Sequence, residues 1–229
     1  VLTETKIDKS VSDATISVEG FIVSRLDRNC HGGGIASYFK SSLRPIELTA
    51  KQDEYSRLGL EVNINSINTI TWGRSIIVAV YRPPSASKQW FVSFNSLIMD
   101  LLPLGRLFII GDLNANLIKA DNYPGNELMT SLALAQCMVH EVFPTRITDH
   151  SSACLDIIAV PLNSVVRCYF SCDTAASDHF PIRTELVLKT HSTVKPVFKR
   201  RFKQVNLEEL RERVSHIELK TEDPNRVRT

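Results

Sequence analysis

Two short strings carry side chains that could do chemistry: Gly111-Asp112-Leu113-Asn114 and Ser177-Asp178-His179-Phe180. The first follows Leu107-Phe108-Ile109-Ile110, an apolar run that predicts a buried strand. A strand ending in Gly-Asp-x-Asn sets a carboxylate and an amide at its C-terminal edge, and residues two apart share a face. The second string closes another apolar stretch with adjacent acid and imidazole. Acid, amide and imidazole together can hold a divalent cation, orient a water and meet a phosphate oxygen. That set suits hydrolysis of a phosphate ester.

The elements that must position these groups follow from periodicity. Ser75–Tyr81 is a β-branched strand stopped by Arg82-Pro83-Pro84, because proline cannot donate to a ladder. Tyr81 therefore ends a strand. Between Ser87 and Leu102 the period changes to three and four, with Trp90, Phe94, Leu97, Ile98 and Leu101 on one face, predicting a helix capped by Ser87. The strand 107–110 comes next, and a second helix is predicted over 126–136 with Leu128, Leu132 and Ala135 inward. Gly32-Gly33-Gly34 lacks the Lys-Ser/Thr of a phosphate-cradling loop and reads as a turn into a strand at Ile35–Lys40. Further strands are expected at 58–64, 154–160, 165–170 and 182–188. Asp156 interrupts an apolar strand. A buried carboxylate without a partner costs several kcal/mol, so it requires a donor, and His179 is the candidate. Strands interleaved with helices predict a layered α/β protein.

Composition narrows the class. A chain of 229 residues can bury one sizeable core plus an appendage. A net charge of +2 does not suggest a protein that coats nucleic acid. Basic residues instead gather at Lys199, Arg200, Arg201 and Lys203, ahead of a charged helical pattern at 207–214. We expect a boundary there, with one domain over 1–189 and a basic linker and charged helix over 190–229. The five cysteines form no Cys-x-x-Cys pair, and no Asn-x-Ser/Thr sequon occurs, so neither a zinc site nor a disulfide framework is indicated. No apolar run reaches membrane-spanning length. These features fit an intracellular protein with no membrane partner.

The order Glu4, Tyr81-Arg82-Pro83-Pro84, Gly111-Asp112-Leu113-Asn114, Thr145-Arg146, Leu155-Asp156, Ser177-Asp178-His179 resembles the endonuclease/exonuclease/phosphatase superfamily. Within it the chain is similar to the apurinic-like endonuclease domain of non-LTR (LINE-type) retrotransposons, through Leu2-Thr3-Glu4-Thr5, the Gly32–Lys40 segment and Tyr81–Pro84. The likeness covers about residues 1 to 188.

The resemblance implies a two-sheet α/β sandwich with its site at one edge of the paired sheets. It implies Mg²⁺ (or Mn²⁺) held by Glu4 with help from Asp178, since hard cations take oxygen ligands. Asp112 would deprotonate a water with Asn114 beside it. His179, oriented by Asp156, would stabilise the scissile phosphate, and Tyr81 would add a hydrogen bond. Thr145, Arg82 and Ser177 would contact substrate. The implied partner is DNA, nicked to leave a 3′-hydroxyl for reverse transcription, in the nucleus. A downstream reverse transcriptase and element RNA are further implied partners. Family members carry an Asn at the end of a strand upstream of the Glu, so we expect a domain lacking its first strand. Two other readings compete: a phosphatase of small esters on the same fold, and an inactive truncated copy that at most binds nucleic acid.

Overall fold

A computed structural model describes residues 1–47, 67–72, 74–121, 123–171 and 177–187. The strand expected at 58–64 and the linker and helix expected over 190–229 lie outside the described residues.

The central layer is a six-stranded sheet. Its strands are β4 (Ile46–Glu47), β5 (Ile67–Trp72), β6 (Ser75–Tyr81), β7 (Arg106–Asp112), β8 (Cys137–Val139) and β11 (Asp156–Pro161), in the order β4-β5-β6-β7-β11-β8. Every neighbouring pair is antiparallel except β6 and β7. A parallel pair requires a crossover, and α2 (Lys88–Leu101) supplies it. Trp90, Phe91, Phe94, Leu97, Ile98 and Leu101 bury one stripe of α2 against Ile76, Val78, Val80, Leu107 and Ile109. The helix α3 (Gly125–Leu134) joins the same core through Leu128 and Leu132. Ala135, expected inside that helix, is buried just beyond its end. The backbone of Ser87 has the extended cap conformation, yet its hydroxyl makes no capping bond.

The opposite face of this sheet carries the alternate residues, among them Ala79 and Tyr81, which pack with Ile35 and Leu26. Against it lies a three-stranded sheet of β1 (Leu2–Thr3), β2 (Phe21–Leu26) and β3 (Ile35–Lys40), ordered β1-β3-β2. Here β2 stands over β5, β3 over β6 and β1 over β7. A separate ribbon of β12 (Val165–Ser171) and β13 (Ile182–Val187) places β13 against β11. The sandwich is thus two-layered as expected, but among the described residues its second layer is split. A cavity of about 350 Å³, lined chiefly by Ile77, Phe108, Ile110, Ile158, Ile182 and Leu186, lies between β13 and the six-stranded sheet. A short hairpin of β9 (Arg146–Thr148) and β10 (Ser151–Ala153) precedes β11, and a single turn of helix, α1 (Asp13–Ile16), precedes β2.

One glycine decides whether the central strands can meet. Gly111 has a φ of 145°, and a Cβ there would sit 1.8 Å from the Val80 carbonyl oxygen. Only glycine lets β7 run against β6 at that level, next to Asp112.

Candidate active site

Strand register assembles the first three groups. Tyr81 pairs with Asp112 across the β6–β7 ladder, and Asp112 pairs with Asp156 across β7–β11. The three residues form one row at the end of the sheet, on the face turned toward the second layer. Glu4 arrives from the end of β1 and accepts a hydrogen bond from the Tyr81 hydroxyl. Its backbone is left-handed, with φ 52°. Such strain costs on the order of 1–3 kcal/mol in a non-glycine residue and persists only where the surroundings impose it. The triple-glycine turn is part of that imposition, because the Gly33 carbonyl accepts from Lys6 N at 3.0 Å and the Gly34 carbonyl from Thr5 N at 3.5 Å.

Asp112 is 4% exposed. Asn114 holds both of its oxygens, donating its backbone N–H to Oδ1 at 2.9 Å and its amide to Oδ2 at 3.1 Å. The same amide also donates to the Arg82 carbonyl at 2.9 Å. This Asx-type turn needs a left-handed Asn114, whose φ is 45°, a conformation asparagine tolerates better than most residues. Burial pushes the Asp112 carboxyl up to about 7, and the negative neighbours Asp156 and Glu4 act in the same direction. The Asn114 N–H and His179 oppose the rise.

His179 comes from the segment before β13. Its Nδ1 lies 2.7 Å from Asp156 Oδ2, as the lone carboxylate in an apolar strand required. That bond is the largest influence raising the His179 pKa, against the lowering effect of burial. With Nδ1 engaged, Nε2 is the ring's open nitrogen among the described residues. The ligating atoms of Asp112, Asp156 and His179 all lie within 4.8 Å of one another.

Three of the expected substrate contacts stand elsewhere. Thr145 is fully buried and serves Asp156: its hydroxyl donates to Oδ2 at 2.7 Å and accepts the backbone N–H groups of Leu155 and Asp156, each at 3.0 Å. Those bonds saturate it, so it supports the carboxylate from behind. Arg82 is 1% exposed and lies under the Asp112–Asn114 turn, out of reach of a ligand in solvent. Ser177 is exposed, and its hydroxyl accepts the His179 backbone N–H at 3.0 Å, shaping the turn that carries the imidazole. Asp178, expected to help at the metal, has a protein partner of its own. Its carboxylate accepts from Arg146 Nε at 2.8 Å on the exposed rim, apart from the Asp112–Asp156–His179 cluster, and this bond holds its pKa below the usual carboxylate range.

Two supporting residues lacked a distinctive signal in the chain. Asn116 accepts Ile118 N and Cys154 N, each at 3.1 Å, tying the loop after β7 to the approach of β11. Tyr123 lies beneath the site as a partner of Arg82, at 3.0 Å. Asn116 repeats the Asn of the Gly-Asp-x-Asn string two residues on, which is the one hint available.

The two-layered α/β sandwich that carries this row has counterparts among solved structures. A Neisseria 3′ phosphatase, NExo, bound to a product DNA hairpin superimposes with a TM-score of 0.62 at 14% identity, covering 81% of this chain and 87% of that one. The chain shares the fold of that phosphatase. The endonuclease domain of TRAS1, a telomere-specific non-LTR retrotransposon, shares this fold with a TM-score of 0.58 at 18% identity, covering 75% of this chain and 82% of that one. An AP endonuclease from Archaeoglobus fulgidus gives 0.54 at 12% identity over 81% and 87% of the two chains. No protein-family model and no curated protein sequence matches the chain. At these identities the endonuclease/exonuclease/phosphatase likeness is one of fold, and the side-chain geometry carries the chemistry.

Proposed function

We propose that this chain is a divalent-metal-dependent phosphodiester hydrolase that nicks DNA, the endonuclease domain of a non-LTR retrotransposon. The observation that carries the reading is the row Tyr81–Asp112–Asp156, completed by Glu4, Asn114 and His179. The solved neighbours include nucleases and a phosphatase, and the retrotransposon endonuclease domain among them favours the finer assignment.

The residues fit a hard cation. Asp112, Asp156 and Glu4 bring negative charge together, and burial leaves the Asp112 carboxyl raised to about 7, the signature of a charge short of a counter-ion. Glu4 would hold Mg²⁺ or Mn²⁺ through oxygen, with Asp112 beside it and His179 occupied by Asp156. The bound ion would neutralise developing charge on the phosphoryl oxygens. Asp112, with Asn114 fixing its orientation, takes the proton of the attacking water. His179 in its charged form donates Nε2–H to a phosphate oxygen, and Asp156 keeps the other proton on Nδ1. Tyr81 anchors the Glu4 carboxylate. Water oxygen bonds to phosphorus, the bond to the 3′ oxygen breaks with its electron pair going to that oxygen, and the resulting alkoxide takes a proton from bulk water to become the 3′-hydroxyl. On this reading the hydroxyl primes reverse transcription in the nucleus, with a reverse transcriptase and element RNA as partners.

Supercoiled-plasmid nicking tests the reading, run with Mg²⁺, with EDTA and with Asp112→Ala. Metal-dependent nicking lost in the variant is the expected result. Folded wild-type protein that never nicks would overturn it. The neighbour that is a 3′ phosphatase supports a second reading, removal of a terminal phosphate, which a 3′-phosphorylated oligonucleotide in the same assay separates. Salt-dependent DNA binding with neither activity would select an inactive copy.

A further inference from the structure

Arg82 is a buried cation, 1% exposed. Among the described residues no carboxylate meets its guanidinium. Its donors go instead to four neutral oxygens: Leu113 O at 3.5 Å, Asn114 O at 3.4 Å, Ala86 O at 2.7 Å and Tyr123 Oη at 3.0 Å. Nε has no partner. The guanidinium carbon stands 5.1 Å from the Phe91 ring, 5.8 Å from Tyr123 and 5.9 Å from Trp90, so aromatic faces partly offset the lost hydration. Burying a charge in this way is costly, and an apolar side chain would fill a pocket of rings more cheaply. What an apolar side chain cannot do is pull on carbonyls.

The carbonyls it pulls belong to the Asp112–Asn114 turn. Arg82 N donates to Asp112 O at 2.8 Å, Arg82 O accepts the Asn114 amide at 2.9 Å, and the guanidinium reaches the Leu113 and Asn114 carbonyls. Asn114 is the residue held left-handed at φ 45°, and its amide is what fixes Asp112 Oδ2. We propose that Arg82 is a positioning residue, its guanidinium clamping the Leu113 and Asn114 carbonyls so that the Asn114 amide stays aimed at the Asp112 carboxylate. The inference rests on the hydrolytic reading of the site for its kinetic consequence, but the clamp itself is a statement about the turn. Arginine is needed because one planar group must reach oxygens on two sides while lying among rings, and a lysine ammonium offers a single point of contact.

The test uses the full chain with Arg82→Lys, Arg82→Met and Tyr123→Phe, each checked for folding by circular dichroism. Nicking kinetics with Mg²⁺ should show kcat down about 10- to 100-fold in Arg82→Met with KM within about threefold, since displacement of a reacting group costs turnover more than binding. Arg82→Lys should recover only part of the loss, and Tyr123→Phe should lose less than Arg82→Met. In metal-free protein the ¹⁵N-resolved Asn114 side-chain amide should shift and exchange faster with water in all three. Folded Arg82→Met with wild-type kcat, or an Asn114 amide unchanged, overturns the proposal. If Arg82→Met does not fold, Tyr123→Phe decides by the same two readouts, unchanged values overturning it. If wild-type protein does not nick, the hydrolytic reading fails by itself and the Asn114 amide still decides the clamp.

Discussion

Replacing Asp112 with asparagine should make the metal-free protein more stable at neutral pH while removing its activity. The carboxyl is 4% exposed and raised from 3.8 to about 7, first by burial and then by Asp156. The unfolded chain releases this proton near pH 4, whereas the folded protein keeps it until about pH 7. The folded state therefore binds more protons across that window, and stability falls as pH rises through it. Each tenfold in proton affinity is worth ~1.4 kcal/mol, so the full penalty above pH 7 is about 4 kcal/mol, of which about 3 kcal/mol develops between pH 5 and pH 8. An asparagine never ionises and escapes this penalty. It does lose one bond, because its amide faces the Asn114 amide, at a pH-independent cost of about 1 kcal/mol. His179 titrates in both proteins, at a lower pH in the variant because the Asp112 charge that helps raise its pKa is gone.

Urea unfolding of both proteins in EDTA at pH 5, 6, 7 and 8 reads the effect directly. The stability gap should widen in favour of Asp112→Asn by about 3 kcal/mol from pH 5 to pH 8, roughly 1.5 M in midpoint. Added Mg²⁺ should close it by stabilising the wild type alone. A gap that stays constant from pH 5 to pH 8 would refute the reasoning, for it would mean that Asp112 ionises at its ordinary pKa and that the acidic row is not short of a counter-ion.

Three further outcomes are expected. His179→Ala should reduce nicking at least about 10³-fold without unfolding the domain, because the ring lies at a strand edge outside the core; activity within tenfold of wild type would remove it from the mechanism. Asp156→Ala should let the His179 pKa fall toward 6.5, since their bond is the main influence raising it, so the stabilisation that the charged imidazole gives below its pKa shrinks; a histidine NMR titration that does not move would sink the pairing. Gly111→Ala should destabilise by more than about 3 kcal/mol, since its methyl would meet the Val80 carbonyl at 1.8 Å; a melting temperature within 2–3 °C of wild type contradicts that account.

Much of the site was legible because local chemistry leaves local marks. Pro83 and Pro84 end β6 at Tyr81, Gly111 and Asp112 end β7, and Asp156 sits in an apolar strand that offers it no partner, which required a donor and made His179 the candidate. Periodicity placed α2 to within a residue or two, since its buried stripe repeats at helical spacing. The role of Arg82 was not legible. Beside Tyr81 in a motif it reads as a ligand contact, yet the chain turns its side chain down between Phe91, Trp90 and Tyr123. The bonds of Thr145 were not legible either, its hydroxyl being spent on Asp156 and two backbone donors. Asp178 is drawn to Arg146, a residue 32 positions away.

By itself, then, the order of residues marked β3, β6, β7, β11, β12, β13 and the two long helices, and which chemical groups stand at their ends, while β2 and β5 went unread. Both depend on neighbours a few positions apart, through side-chain periodicity and the backbone limits of proline and glycine. Only the tertiary structure decided that Tyr81, Asp112 and Asp156 share one row, that Glu4 and His179 meet that row, and that Arg82 and Thr145 hold it from inside. Those facts depend on ladder register and layer packing between segments far apart in the chain. A shift of one residue in the β6–β7 or β7–β11 ladder would turn that strand's member of the row to the other face of the sheet.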